Sequence, residues 1–274
     1  MEIKLIVMDM DGTLLDADHV TVPRRNIDAL RAASARGVKL AIASGRTWSL
    51  IGDTAEQLGG VDYALISNGA AVRETATGRT LWEKAIPNAQ ALKIIDMLHA
   101  EGIVFEVYCQ GQNYVRLSEK ALIRHNNLTA AFADFYESRA VFPPDLGRAL
   151  AGRDVEKFNL FYVPPEKRER VLAEAMATGP LEEAQALRHN MELAAGGVNK
   201  GTALRALADQ LGLAPSEVMA FGDAGNDLEM LEWAGWSFAM DNGTDQARAA
   251  ARYRAPANTE AGVGQMVERY VLER

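Results

Sequence analysis

Residues 3–15 read IKLIVMDMDGTLL, a mostly apolar run from Ile3 to Met8 that ends abruptly in Asp9, Asp11, Gly12 and Thr13. The run predicts a buried strand. Side chains at i and i+2 of a strand point the same way, so Asp9 and Asp11 converge on one side if the extended conformation continues past Met8. Two carboxylates so placed repel each other unless a cation or a shared proton intervenes. The competing reading is a polar turn with an acid capping the next helix, Asp and Gly being common turn residues. The choice depends on what partners the rest of the chain supplies.

Outward from that strand, residues 23–36 place Ile27, Leu30 and Ala33 or Ser34 at helical spacing behind Pro23, and Gly37 closes the helix. Val38 to Ser44 is a β-rich apolar run ending in Gly45-Arg46, which completes a strand-helix-strand unit of the kind that builds a parallel sheet. Residues 47–58 form another amphipathic segment, and Tyr63 to Ile66 a third apolar run ending in Ser67-Asn68-Gly69. Polar residues at the carboxyl ends of successive strands are the pattern of an open α/β sheet.

From about Thr80 the texture changes. A helix is expected from Pro87 to Ala100, strands at Ile103–Tyr108 and Tyr114–Leu117, an irregular aromatic region through Phe142, a strand at Val155–Val163 and a helix at Pro165–Thr178. Ala184–Leu187 and Met191–Leu193 are weaker strand candidates. The parallel pattern then resumes: helix Thr202–Leu211, strand Val218–Phe221 running into Gly222-Asp223, helix Leu228–Ala234, strand Trp236–Met240, and a helix around Gln246–Ala251. The middle unit therefore reads as inserted into a core made from both ends of the chain. The expected division is a core at 1–82 and 191–274 and an insert at 83–190.

Composition narrows the function. The 274 residues suffice for one large or two small domains, and 48% apolar with 24% charged content is ordinary for a globular protein. No apolar stretch approaches the ~18 residues of a membrane helix. The start, MEIKLIV, leads into the candidate site without a basic region, apolar core and cleavage site in series, so a cytoplasmic chain is expected. Cys109 is the only cysteine, which rules out an intrachain disulfide and a cysteine-built zinc site; a buried inert thiol is expected. The formal charge of −8 argues against nucleic acid as a partner, because that binding needs clustered Lys and Arg. An anionic substrate would need local positive potential from a metal, a lysine or a helix N-terminus.

Three further pieces carry possible chemistry. Ser44 ends the second strand, where its hydroxyl and the Gly45 N–H can donate to a phosphate oxygen, although Ser-Gly is more often a plain turn. Lys200 opens a helix, unfavourably placed at the positive end of the dipole unless an anion sits before it; a solvated surface lysine is the alternative. The segment GDAGND, Gly222 to Asp227, follows a strand and puts Asp223 and Asp227 four residues apart. Carboxylates gathered at strand ends form a hard-oxygen site that suits Mg²⁺.

Taken together, DMDGT, the Ser44 position, Lys200 and GDAGND occur in the order and strand contexts of the haloacid dehalogenase (HAD) superfamily. The longer stretches AIASGRT, ISNGA, GVNKGTAL, AFGDAGNDLEML and EAGVGQMV resemble its Cof-type (subfamily IIB) phosphatases. The resemblance covers nearly all of the core; in the insert it is confined to EKFNLFYVPPEKRERVLAEA, and MELAAGG, Met191 to Gly197, departs from the pattern where such proteins often carry a proline. It implies an α/β fold, a Rossmann-like parallel-sheet core with an inserted α+β cap. It also implies a Mg²⁺-dependent phosphatase of small phosphorylated metabolites, such as sugar phosphates, working through an aspartyl phosphate. On that resemblance Asp9 is the nucleophile and Asp11 the general acid and base. Mg²⁺ is held by the Asp9 carboxylate, the Asp11 carbonyl and Asp223, with Asp227 supporting. Ser44, Gly45 and Lys200 hold the phosphoryl oxygens, assisted by Thr13 and Asn226, and Arg46 is a candidate substrate contact.

Two other functions stay open at this point. A phosphomutase shares the aspartyl phosphate, and a receiver-like signalling module would use a phosphorylated aspartate as a switch, although a resident general base at Asp11 does not suit a durable signal. In the insert Tyr108, Tyr114, Arg116, His125, Lys157, Asn159 and His189 are weak substrate candidates, and Trp48 and Trp82 are assigned to packing. Oligomeric state is not legible.

Overall fold

The computed structural model describes residues 2–123, 130–184 and 189–273. In chain order the strands are β1 (Leu5–Met8), β2 (Lys39–Ala43), β3 (Tyr63–Ile66), β4 (Ala71–Glu74), β5 (Thr80–Glu83), β6 (Phe105–Cys109), β7 (Gln112–Tyr114), β8 (Lys157–Leu160), β9 (Leu181–Ala184), β10 (Met191–Ala195), β11 (Val218–Gly222), β12 (Trp236–Met240) and β13 (Tyr253–Ala255). The helices are α1 (Arg24–Ala35), α2 (Trp48–Gln57), α3 (Asn88–Ala100), α4 (Lys120–Ile123), α5 (Ala130–Arg139), α6 (Leu146–Ala149), α7 (Pro165–Met176), α8 (Lys200–Leu211), α9 (Leu228–Trp233), α10 (Asp245–Ala250) and α11 (Gly262–Val267). They group into two compact units: residues 1–46, 51–83 and 199–274, and residues 47–50 and 84–198.

The first unit is built on a sheet of order β13-β12-β11-β1-β2-β3-β4-β5. From β13 to β3 every pairing is parallel, with β1 between β11 and β2. Runs such as LIVM in β1 and YALI in β3 are buried throughout, as strands covered on both faces must be. On one face Leu5, Val7, Ala41, Leu65 and Val218 pack with Leu204 and Leu207 of α8 and Met230 of α9. Each such leucine or valine contributes roughly 1.5–3 kcal/mol by leaving water. Trp82 packs at the edge of this cluster. The sheet departs from the parallel expectation at that edge, where β3, β4 and β5 run antiparallel. Those two strands, AVRE and TLWE, are only partly buried and carry too short an apolar pattern to stand out in sequence.

The second unit holds an antiparallel sheet of order β7-β6-β8-β10-β9. Register places Glu106, Asn159 and Glu192 in one cross-strand row and Tyr108 beside Lys157 in the next, so one face of this sheet is polar. Phe105, Val107, Phe158, Leu160, Met191 and Leu193 occupy the other face, all fully buried. There Phe105 lies 5.1 Å from the ring of His99 on α3 and 6.1 Å from Phe158.

Residues 191–198, expected in the core, group instead with the second unit, because β10 is hydrogen-bonded to β8 on one side and β9 on the other. The strand expected at Tyr114–Leu117 lies at Gln112–Tyr114, and Leu117 begins a helical turn. The candidate strand at 184–187 is Leu181–Ala184 as far as it is described. Residues 185–187 and His125 lie outside the described residues. Cys109 is buried, and no helix among the described residues is long and apolar enough to cross a membrane.

Candidate active site

Four adjacent strands, β11, β1, β2 and β3, end in polar residues on the same edge of the first unit's sheet. Asp9 extends β1 by one residue, its N–H donating to the Phe221 carbonyl at 3.0 Å. The chain then turns sharply. Gly12 takes φ +81°, and a side chain there would meet the Asp223 carboxylate at 2.5 Å, so only glycine allows this turn to approach β11. The Asn242 amide donates to the Gly12 carbonyl at 2.7 Å and holds the turn in place.

Lys200 is the centre of the site. Its ammonium is fully buried and donates to Asp9 Oδ1 at 2.5 Å and Asp227 Oδ1 at 2.7 Å. Local sequence explains why a lysine is tolerated at the first position of α8. Asn199 and Thr202 cap the helix reciprocally, at 2.8 and 3.1 Å, and the two carboxylates offset the positive end of its dipole. Burial lowers the affinity of Lys200 for its proton, but Asp227 and Asp9 outweigh burial and raise it, so the group stays charged.

Asp227 has little capacity left. Its Oδ1 accepts from Lys200 and its Oδ2 from the backbone N–H groups of Asp223 and Ala224, at 2.9 and 3.0 Å. Gly222 makes this possible, since a Cβ there would lie 2.5 Å from that of Asp227. Asp227 therefore positions Lys200 and the Asp223 backbone, a supporting place rather than an open ligand. Asp223 accepts from Thr13 Oγ1 at 2.8 Å through Oδ1. Its Oδ2 and that of Asp9 make no hydrogen bond among the described residues.

The acids outnumber the lysine three to one. Asp9, Asp223 and Asp227 each have a carboxylate oxygen within 4.8 Å of the others, an all-oxygen cluster in which Asp9 and Asp223 keep the open oxygens among the described residues and whose net charge a divalent cation would offset. Without one, burial first, and then repulsion from Asp227, push Asp223 up to about 6. Burial likewise raises Asp9 well above its ordinary value against the pull of Lys200. The site fits a cation because its own charges do not balance.

Asp11 belongs to a different cluster. Arg46 grips it with Nε on Oδ2 at 2.9 Å and Nη2 on Oδ1, and His19 Nδ1 lies 3.0 Å from Oδ1. Burial works to raise its pKa, but the His19 and Arg46 contacts prevail and hold it below the usual carboxylate value. Ser44 is buried beside this cluster, its Oγ accepting from the Arg46 N–H at 3.1 Å across Gly45.

The expected residues thus fall into two groups, Asp9-Thr13-Lys200-Asp223-Asp227 and Asp11-Ser44-Arg46. Thr13 and Asn226 have protein partners, the latter donating to Asn68 Oδ1 at 3.2 Å. Three residues at the site were not singled out by sequence: His19, Asn68 and Asn242. Asn68 carried one signal, its place at a strand end in ISNGA. His19 carried none, since nothing local pairs it with Asp11.

In the second unit Tyr108, Lys157 and Asn159 lie on the polar face of the sheet. Tyr114 OH accepts from Arg153 at 3.1 Å, Arg116 pairs with Glu119, and His189 packs edge-on to Tyr162 at 5.7 Å.

Residues 6–267 match the family model of haloacid dehalogenase-like hydrolases. The phosphatase YwpJ of Bacillus subtilis is 29% identical over 283 residues, covering 97% of this chain and 99% of that protein. The 5-amino-6-(5-phospho-D-ribitylamino)uracil phosphatase YbjI of Escherichia coli is 29% identical over 270 residues, covering 98% and 96%. A solved haloacid dehalogenase-like hydrolase from B. subtilis superposes with a TM-score of 0.84 at 26% identity, over 98% of this chain and 100% of that one.

Proposed function

The chain belongs to the haloacid dehalogenase-like hydrolases, its class is that of the phosphoric monoester hydrolases, and we propose that it hydrolyses a small phosphorylated metabolite with Mg²⁺ through an aspartyl phosphate on Asp9. The observation that carries this reading is Lys200 Nζ seated between Asp9 and Asp227, with Asp223 completing the acidic cluster.

Asp9 attacks phosphorus through its carboxylate and displaces the alcohol. Lys200, charged and without solvent around it, holds the Asp9 carboxylate and neutralises phosphoryl charge as it builds. Asp9 and Asp223 would hold the cation, with the Asp11 carbonyl. When bound, it offsets the repulsion between carboxylate and phosphate and draws off transition-state charge. Asp11 protonates the leaving oxygen, then takes a proton from the water that splits the acyl phosphate. Ser44 and the Gly45 N–H orient phosphoryl oxygens from the end of β2, with Thr13 and Asn226 holding the neighbouring elements in place.

The substrate class is a phosphomonoester of a sugar or polyol; the ribityl phosphate named for the E. coli relative is of this kind. A panel of sugar phosphates, ribitylamino phosphates, nucleotides and pyridoxal phosphate with Mg²⁺, read as inorganic phosphate release, tests it. Sugar-phosphate interconversion without phosphate release would replace hydrolysis by a mutase reaction. An acyl phosphate lasting minutes in the presence of Mg²⁺ would defeat both.

A further inference from the structure

Asp11 sits in the structure with its carboxylate nearly filled. A carboxylate offers about four lone-pair sites. Arg46 Nε takes one at Oδ2, while Arg46 Nη2 and His19 Nδ1 take both at Oδ1. The one site left is on Oδ2, so a leaving oxygen that comes to it meets the Arg46 guanidinium already there.

The two partners are held differently. His19 stands on the loop 16–21, which is closed by the Asp16 N–H donating to the Thr21 carbonyl at 2.8 Å. Within it, Asp18 accepts from the backbone of Val20 and Thr21 at 2.9 and 2.8 Å and from the Thr21 hydroxyl at 2.5 Å. His19 itself has φ +58°, a conformation that a non-glycine residue keeps only where its surroundings impose it. The loop is built to present this one ring to Asp11. Arg46 instead follows Ser44 by two residues at the end of β2, and also donates to the His19 carbonyl at 3.2 Å. A guanidinium matches a phosphoryl group as well as it matches a carboxylate.

We propose that Arg46 is exchanged and His19 is retained: an entering phosphoryl group draws Arg46 from Asp11, freeing Asp11 Oδ2 for the leaving oxygen while His19 keeps Oδ1 and aims the carboxyl group. The inference rests on Asp11 being the proton donor. In the step it serves, the Asp9–phosphorus bond forms as the bond to the bridging oxygen breaks. With Arg46 withdrawn, Asp11 takes up a solvent proton on Oδ2 and passes it to that oxygen, and the hydrolytic water returns one in the second half. His19 is then a positioning residue, and Arg46 a substrate-binding residue shared between two anions.

Two substrates separate these roles. p-Nitrophenyl phosphate has a weakly basic leaving group that needs little protonation, whereas glycerol phosphate depends on the acid. His19→Ala should lower kcat for glycerol phosphate at least about tenfold and for the aryl ester less than about threefold, with KM unchanged for both. His19→Asn, which restores a side-chain donor, should recover much of that loss. Arg46→Ala should raise KM for both esters, and the inhibition constant of inorganic phosphate, by about tenfold or more, with the ratio of their kcat values preserved. Equal losses on both esters in His19→Ala would reduce the histidine to a structural part, and unchanged KM and phosphate inhibition in Arg46→Ala would end the exchange. Asp11→Asn tells the two levels apart: if it still turns over glycerol phosphate normally, the proton-donor assignment falls and this inference with it. If it is inactive, failures at His19 or Arg46 count against the exchange alone.

Discussion

The two units each bury a group of charged side chains, and the difference between them is instructive. In the second unit Glu106 is nearly inaccessible and accepts from Tyr108 at 2.8 Å, from Asn113 and Asn159 at 2.7 Å, and from Tyr136. All four donors are neutral and both carboxylate oxygens are used. On the same face Lys157 pairs with Glu192 at 3.1 Å and lies over the Tyr108 ring. In the first unit three acids surround one lysine, and two of them keep an oxygen with no hydrogen bond among the described residues. The cap network is complete as it stands; the core cluster is not. A buried polar network that is fully satisfied stiffens a fold, whereas one carrying excess charge costs stability unless something binds.

The comparison can be broken most severely at Asp9. Asp9→Asn keeps the volume and should abolish phosphate release, by roughly 10³-fold or more, with an unchanged circular dichroism spectrum. Substantial turnover in that variant would remove the nucleophile assignment. Lys200→Met is expected to cost stability as well as rate, since it leaves two buried carboxylates facing each other without their cation. Loss of one partner of a buried ion pair typically costs about 3–5 kcal/mol, measurable by urea denaturation at pH 7, and a cost under about 1 kcal/mol would show that Lys200 does not hold the cluster together.

The excess charge also predicts how the metal-free protein responds to pH. Asp223 is raised to about 6 and Asp9 is raised as well, both by burial first. A carboxyl whose folded-state pKa exceeds its unfolded value binds protons more tightly when folded. Its stabilising effect is therefore present at low pH and lost as pH rises, here between about 4 and 6 for Asp223. From that residue the loss is up to about 3 kcal/mol, and Mg²⁺ should restore it. Thermal melts of the parent and of Asp223→Asn, in chelator and in Mg²⁺ across this range, separate this residue from carboxylates that are held low and act in the opposite sense, such as Glu217 and Glu268; a metal-free parent that loses no stability relative to Asp223→Asn from pH 4 to 6 would contradict it.

The smallest effect is expected in the cap. Glu106→Gln turns two acceptor oxygens into one acceptor and one donor facing donors, which should cost about 1–3 kcal/mol and change kcat for p-nitrophenyl phosphate little. A loss of rate there comparable to that of Asp9→Asn would erase the distinction between the two networks.

Much of the site was legible because its parts are local. An apolar run that stops at an acid marks both Asp9 and Asp223, whereas Lys200 is marked only by its place at a helix start and by the resemblance. The roles within the site were less so. Thr13 reads as a phosphate ligand by its place in DMDGT, yet its hydroxyl serves Asp223, 210 positions away. Asn226 likewise meets Asn68 from another strand end. The edge strands Ala71–Glu74 and Thr80–Glu83 escaped notice because half-exposed strands of four residues lack a periodic signal. Residues 191–198, and residues 47–50 with them, group with the second unit and not with the expected core, because a segment's spatial neighbours are not encoded in its own composition.

What the sequence by itself determined is a gathering of acids at one sheet edge, in motifs that resemble those of the haloacid dehalogenase superfamily and through that resemblance imply the reaction class. Strand-forming runs, the turn that Gly12 permits and the acids that follow the strands are properties of short segments, and they suffice to bring carboxylates to one sheet edge. What only the tertiary structure decided is how each carboxylate is used. Among the described residues Asp9 and Asp223 keep an oxygen without a hydrogen bond, Asp227 is consumed by Lys200 and two backbone N–H groups, and Asp11 is gripped by Arg46 and His19. The reason is geometric: a hydrogen bond depends on a few tenths of an ångström between groups that chain order separates, and only the folded sheet sets those distances.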